Sequence, residues 1–528
     1  MTSKNNSMCD VVVVGAGIGG LTAGALLARR GLSVRVFERR DVPGGCCSAL
    51  EVDGHAFDIA SSLFYGFGEH GFNANYRVMQ ELGVELDMFH HDPCFDMVFE
   101  GQTLSVYEDR DTWIAALSER FPSCAEGIKA FYDRVGQLYE DALRVGFMPV
   151  ADASLFELTR VAFDNPTILF TYLPVLSQTV WSVLGPLLPP LESNPEVQRF
   201  KAMLDVDLAF GTCAPSHELP LLLAVPILMD RHVGGVRYPR GGAGAIARML
   251  VDGLERHGGQ IQFETSVRRV LVERGRAHGV ELEDGTVVYA DRVICNANIW
   301  DTFQELVDSD QLSRRRRREV EALTPSFSVF ITCVSVDAEV VPDGFRNHTV
   351  VIPDHTTGLR DTSIIYAPSV DDPTLAPEGR HAVTLVNVVN YADWVPEGEQ
   401  VAVDNPTLNK ARVQRALELA EEVMPGISER STVKGTFSPP RLEQTLRRRF
   451  GAVGGPEQNV KQSLNNRQGN LTEIDGLYLV GDSTFPGEGV VAVTISGMTC
   501  ADQVERLHQQ SKKTRRGWGF LGFRKGVG

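Results

Sequence analysis

The stretch VVVVGAGIGGLTAGALLARRGLSVRVFERRDVPGG, residues 11–45, decides the fold. Val11, Val12, Val13 and Val14 are a continuous apolar run, as in a parallel strand covered on both faces. Residues 21–30 set apolar side chains at helical spacing, Gly31 follows, and Ser33 to Phe37 reads as a second strand. This is a βαβ unit. Between strand and helix, Gly15-Ala16-Gly17-Ile18-Gly19-Gly20 fits G-x-G-x-x-G. The motif is weak alone, but a strand before it and a helix after it give it the dinucleotide context. Gly15 allows the tight turn, Gly17 admits a pyrophosphate to the backbone, and Gly20 lets helix and strand pack closely. The helix start offers phosphates free N–H groups and the positive end of its dipole. Glu38 ends the second strand, where a carboxylate accepts from ribose hydroxyls and disfavours a 2′-phosphate.

Pro43-Gly44-Gly45 allows a second backbone approach to a cofactor. Far along the chain, GLYLVGD, residues 476–482, reads as an apolar strand ending in Gly-Asp. An aspartate there reaches the ribityl chain or pyrophosphate of FAD. Gly487, Gly489 and a helix from about Ala492 bring N–H groups toward a flavin ring. A dehydrogenase that holds only NAD has no use for this element. The two stretches together read as a split FAD site.

The chain has 528 residues, which implies two or three domains. Its net charge of −17 argues against nucleic-acid partners, which need a basic footprint. Nine scattered cysteines read as a reducing compartment. No Cys/His set has zinc-ligand spacing, so no metal is expected. The residues before Val11 hold no apolar signal stretch, and the expected location is cytoplasmic.

Residues 75–230 read as mostly helical. Residues 237–300 return to an α/β pattern: a Gly-rich turn at 238–244, a helix at 245–257, and strands at 260–264, 267–273, 278–282, 287–289 and 293–296. Asp284-Gly285 marks a hairpin. Residues 325–390 are strand-rich, and 405–424 read as a helix. The fold class is α/β: a Rossmann-like FAD-binding domain interleaved with a mixed β-sheet and helical domain for substrate and membrane contact. The expected FAD-binding domain is discontinuous, 8–75, 235–300 and 470–507. The substrate domain takes 76–234 and 301–469, and 508–528 form a basic-aromatic tail.

Several stretches resemble the carotenoid isomerases, within the bacterial-type phytoene desaturase and retinol saturase group of flavoproteins. They are ERRDVPGG at 38–45, FDIASSLFYGF at 57–67, DRHVGGVRYPRGGAG at 230–244, residues 266–282, NANIWDTF at 296–303, and GLYLVGDSTFPGEGVVAVTISG at 476–497. The stretches at 230–235 and 296–303 resemble the isomerase branch. The resemblance implies FAD in its reduced form and cis–trans isomerisation of a polyene such as a poly-cis lycopene, without net redox change. The same scaffold carries desaturases, saturases and oxygenases of polyenes, and an amine oxidase or a non-catalytic carrier of apolar ligands are further readings. The expected cofactor contacts are Gly15, Gly17, Ile18, Gly19, Gly20, Glu38, Arg39, Gly44, Gly45, Val267, Gly481, Asp482, Gly489 and Val490. The sequence names no electron donor.

The chain departs from that family at three places. Glu488 stands where the isomerases carry Gln in the phrase FPGQG. Cys46-Cys47 replaces small residues, and residues 447–460 follow the pattern loosely. Glu488, between two glycines beside the expected flavin, is the candidate acid/base. His232, in the DRHVGG stretch, is the second catalytic candidate.

A polyene is insoluble in water, so contact with a membrane surface is expected. Residues 167–191 carry no charge, but Pro174, Gly185, Pro186, Pro189 and Pro190 interrupt them. They read as a broken apolar cap, a membrane-dipping element or a buried helical hairpin. From 512 on, Lys512, Lys513, Arg515, Arg516, Arg524 and Lys525 alternate with Trp518, Phe520 and Phe523, which suits an anionic lipid surface. The arginines at 314–318 read as a solvated helix face that is also able to meet lipid phosphates.

Overall fold

The computed structural model describes residues 8–146, 152–153, 155–166, 171–396 and 405–522. The first sheet has seven strands. Its centre is the valine run: Cys9–Val14 pairs in parallel with Val34–Phe37 on one side and with Val287–Cys295 on the other. Val11, Val12 and Val13 are fully buried, because helices and loops cover both faces of a parallel sheet. The helix Ile18–Arg29 crosses between the first two strands and packs beside the helix Gly244–Arg256 and the long helix Val490–Gly522.

Val287–Cys295 joins two modes of pairing. Its first residues pair antiparallel with Arg276–Leu282, and its last pair in parallel with Cys9–Val14 and Leu477–Leu479. The sequence reads this as two strands, 287–289 and 293–296. The alternation changes where one-sided exposure gives way to burial on both faces, but the backbone continues.

The second sheet also has seven strands, in the order Ser431–Phe437, Ser328–Asp337, Arg380–Val389, Ser363–Tyr366, His348–Ile352, Phe95–Phe99, Gln102–Val106. The last two correct the helical reading of 75–230, as does Met88–His91, which pairs with Val236–Pro239. Glu100 and Gly101 turn the Phe95–Val106 hairpin, both with left-handed backbone. A short strand ending at a glutamate gives little signal beside long amphipathic helices such as Ala125–Val145.

Of the apolar stretch 167–191, residues 167–170 lie outside the described residues. The rest breaks at its prolines into two single turns and the five-residue helix Val180–Leu184. Among the described residues no helix is long and apolar enough to cross a membrane. The basic-aromatic tail continues the helix Val490–Gly522, and its positions 523–528 lie outside the described residues. The arginine run opens the exposed helix Arg314–Glu321, where Arg315 pairs with Glu319 and Arg316 reaches Gln468.

Candidate functional site

The glycine turn is built by backbone approach. Gly15 adopts φ +93° and donates to the Phe37 carbonyl at 2.8 Å. Gly44, at φ +106°, donates to the Ala16 carbonyl at 2.8 Å, so the 43–45 turn rests on the 15–20 turn. Glu38 ties the two: Oε2 accepts from the Ala16 N–H at 2.7 Å and Oε1 from the Arg40 N–H at 2.8 Å. Arg39, by contrast, spends its guanidinium on the carbonyls of Gln444 and Thr445.

Asn296 joins this half to the C-terminal half. It follows the strand Val287–Cys295, and its Oδ1 accepts from the Gly20 N–H at 3.1 Å. A Cβ at Gly17 would stand 2.3 Å from Asn296 Nδ2, and one at Gly481 would stand 2.9 Å from Oδ1. The two glycine elements therefore close on one side chain. Asn296 lies within a family-like stretch, but spacing assigns it no role; only the meeting of three strand ends reveals it.

A cavity of about 940 Å³ opens from this junction. Gly15, Gly17, Ile18, Gly19, Glu38, Arg39, Gly44, Gly45, Val267, Gly481, Asp482, Glu488, Gly489 and Val490 all line it. Gly20 lies behind, against the Gly15 carbonyl. These residues fit a dinucleotide cofactor. The glycines leave bare backbone, at Gly17, Gly44 and Gly481 with no room for a Cβ, and the first turn of the helix Ile18–Arg29 carries no acidic side chain to repel phosphate. Much of the rest of the cavity is apolar and aromatic, with Phe72, Phe95, Tyr172, Leu173, Leu222 and Ile227 among its walls.

Asp482 does not stand alone. Arg448 Nη1 donates to its Oδ2 at 2.5 Å, while Arg448 Nε and Nη2 hold the carbonyls of Ala452 and Val453. Arg467 holds the Asp482 carbonyl. The loose segment 447–460 thus supplies the counter-ion of Asp482.

It also accommodates Glu488. The Glu488 carboxylate sits where a side chain at 454 would begin: a Cβ on Gly454 would lie 1.2 Å from Oε2. Gln458 Nε2 donates to Glu488 Oε1 at 3.1 Å and to the Thr212 carbonyl at 3.2 Å. The Cys213 thiol also hydrogen-bonds the carboxyl. Burial pushes the carboxyl up to about 7, against the pull of Cys213, Arg467 and Gln458. Two departures from the family pattern, Glu488 and the 447–460 segment, are therefore one coupled feature.

Two outcomes follow. The folded protein holds the Glu488 proton to about 7, the unfolded chain only to roughly 4.3. The stability that Glu488 adds relative to Glu488→Gln is full below roughly 4.3 and lost as pH rises through about 7. Melting temperatures of both proteins across that window check this. Gly454→Ala is expected to expel the carboxyl and lower turnover as far as Glu488→Gln does, with flavin content per chain unchanged. Flavin absorbance and turnover, measured together, test that pairing.

His232 is the correction. It does not line the cavity. Its Nδ1 lies 2.9 Å from the Tyr107 carbonyl and 3.2 Å from that of Glu108, and burial beside Arg231 pushes it down to about 3. It braces a loop. Its neighbours do the same work: Asp230 accepts from the Tyr139 hydroxyl and the Phe72 N–H, and Arg231 makes a two-pronged bond to Asp207.

A split glycine cradle closed on one asparagine, opening into an apolar cavity, defines a flavin-binding fold. The chain belongs to the flavin containing amine oxidoreductase family, whose model matches residues 18–505, and its cofactor is FAD. It is 31% identical to the chloroplastic prolycopene isomerase of Arabidopsis thaliana over 517 residues, 96% of this chain and 84% of that one. It is 28% identical to a neurosporene-forming phytoene desaturase of Rhodobacter capsulatus, over 96% of this chain and 95% of that one. An oxidoreductase of Methanosarcina mazei shares the fold, with TM-score 0.63 at 20% identity, over 93% of this chain and 100% of that one.

Proposed function

We propose that this flavoprotein isomerises cis double bonds of a long polyene, with no net redox change. The observation that carries the reading is the placement of Glu488. A protonatable carboxyl stands at the junction between the glycine cradle and the apolar cavity, and burial tunes it to about 7. The names of the 31% and 28% identical relatives supply the substrate class.

Gly15, Gly17, Ile18, Gly19, Gly20, Gly44, Gly45, Gly481, Gly489 and Val490 would hold FAD through bare backbone, with Glu38 on the ribose and Asp482 on the ribityl side. Arg39 and Val267 would border its adenosine end. Reduced FAD, when bound, supplies the electron density that stabilises positive charge on the polyene. Glu488 donates its proton to one carbon of a cis double bond. That bond becomes single and turns, and the same proton returns to Glu488 as the trans double bond re-forms. The apolar walls exclude water, which would otherwise capture the cation.

The two sheets support a discontinuous division of labour. The cofactor part takes 8–75, 235–300 and 470–507, and the substrate part takes 76–234 and 301–469. We also place the enzyme on a membrane surface. Phe163 is 86% exposed and Leu173, which lines the cavity, is 58% exposed. Arg506 pairs with Glu157 at 2.7 Å, tying the helix Val490–Gly522 to the helix Leu155–Asp164 that carries Phe163. The basic run from Lys512 begins roughly 9 Å of helix further on.

The test is expression in cells that accumulate a poly-cis polyene, followed by pigment chromatography and mass spectrometry. All-trans product of unchanged mass is expected. Loss or gain of two hydrogens would instead make the enzyme a desaturase or saturase, the second reading that the Rhodobacter relative favours. Unaltered pigment would refute both.

A further inference from the structure

The polyene cavity contains polar groups that a hydrocarbon cannot satisfy. His348 is 6% exposed, yet it lines the cavity. Its ring lies 5.4 Å from Tyr366 and 5.4 Å from Phe95, centroid to centroid. Ser62 Oγ holds Nδ1 at 2.9 Å, so Nε2 is the ring nitrogen not engaged by Ser62. Burial keeps the ring neutral, pushing it down to about 3.

The Arg231 guanidinium also stands by Phe95, 5.7 Å from the ring centroid. Arg231 is paired in turn with Asp207, which also lines the cavity. The Tyr65 phenol lies within the field of this ion pair, and burial pushes it up. Tyr65 lines the cavity too, and its carbonyl accepts from Asn75 Nδ2 at 3.1 Å. Tyr65 and His348 therefore line the same cavity as Phe95.

A buried polar atom without a partner costs more than the bond it forgoes. A hydrocarbon pressed against Tyr65 and His348 strips both of water and gives nothing back. A cavity built only for hydrocarbon would be better served by Phe at both places. We propose that the polyene this cavity takes carries an oxygen function, hydroxyl or carbonyl, that hydrogen-bonds Tyr65 and His348. This rests on the polyene reading of the cavity and adds the chemistry of the substrate. Either group suits the pair: the phenol donates, and Nε2 donates or accepts according to its tautomer. Sites that bond a substrate oxygen discriminate strongly against the analogue that lacks it.

The experiment uses the FAD-loaded full chain and three acyclic polyenes of equal conjugation length in detergent micelles. One is the hydrocarbon, one carries a terminal hydroxyl, and one a terminal carbonyl. Dissociation constants come from the shift of polyene absorbance, and KM from turnover. At least one oxygenated polyene is expected to bind about tenfold more tightly than the hydrocarbon. In Tyr65→Phe that ratio is expected to fall below about threefold, with His348→Phe as the second variant and flavin content as the check on folding. Equal binding of all three polyenes overturns the proposal, as does a preference that neither variant moves. Binding preference without any isomerisation leaves the oxygen site standing and removes the isomerase reading instead.

Discussion

Glu488→Gln is expected to keep FAD bound and to lose about 10²–10⁴-fold in turnover, the usual contribution of a positioned proton donor. The amide fits the space. Gln458 is still able to donate to the side-chain oxygen, and Gly454 still leaves it room. What is lost is the proton. The wild-type rate should fall as pH rises through about 7, since the acid form of Glu488 disappears there. The variant's residual rate should be flat across the same range. Flavin absorbance per chain, turnover and the pH profile decide the matter together. Full activity in the variant removes the acid role, and a flat wild-type profile does the same.

Gly44→Ala is expected to destroy cofactor binding outright. Gly44 has φ +106°, where an L side chain carries about 1–3 kcal/mol of strain. Its Cβ would also stand 2.2 Å from the Cys47 carbonyl oxygen and 3.1 Å from Ala247 Cβ. Neither is a flexible side-chain end, so the backbone must shift, at about 1–3 kcal/mol more. The shift passes to Ala16 through the bond from the Gly44 N–H, and so to the glycine turn. Colourless protein with near-native circular dichroism is the expected product. Yellow protein with normal flavin content would show that the turn yields more easily than its contacts imply.

Much of the cofactor side was legible because local rules decide it. The valine run, the glycine spacing and the strand-ending Glu38 each follow from backbone geometry within a few residues. The Asp284-Gly285 hairpin is likewise local: Asp284 Oδ1 accepts from the Thr286 N–H at 2.8 Å. Arg448, Gly454 and Asn296 were not legible as partners. Each acts on a residue far away in the chain, and a loop's sequence does not say which strand end it will meet. His232 was misread for the opposite reason. The motif around it is informative, but what it encodes is a brace around Asp230 and Arg231, with Asp207 held by Arg231. The strands at 88–106 were missed because turns at Pro93 and Gly101 cut them below the length at which alternation becomes a signal.

Asn296 has a consequence for synthesis. The side chain that buttresses Gly17 and Gly20 also abuts Gly481, which leaves the ribosome long after the glycine turn has been made. A nascent chain lacks the Gly481 wall of the cradle for most of its elongation. The flavin cradle is therefore complete only once the C-terminal strand end has been made and brought against Asn296.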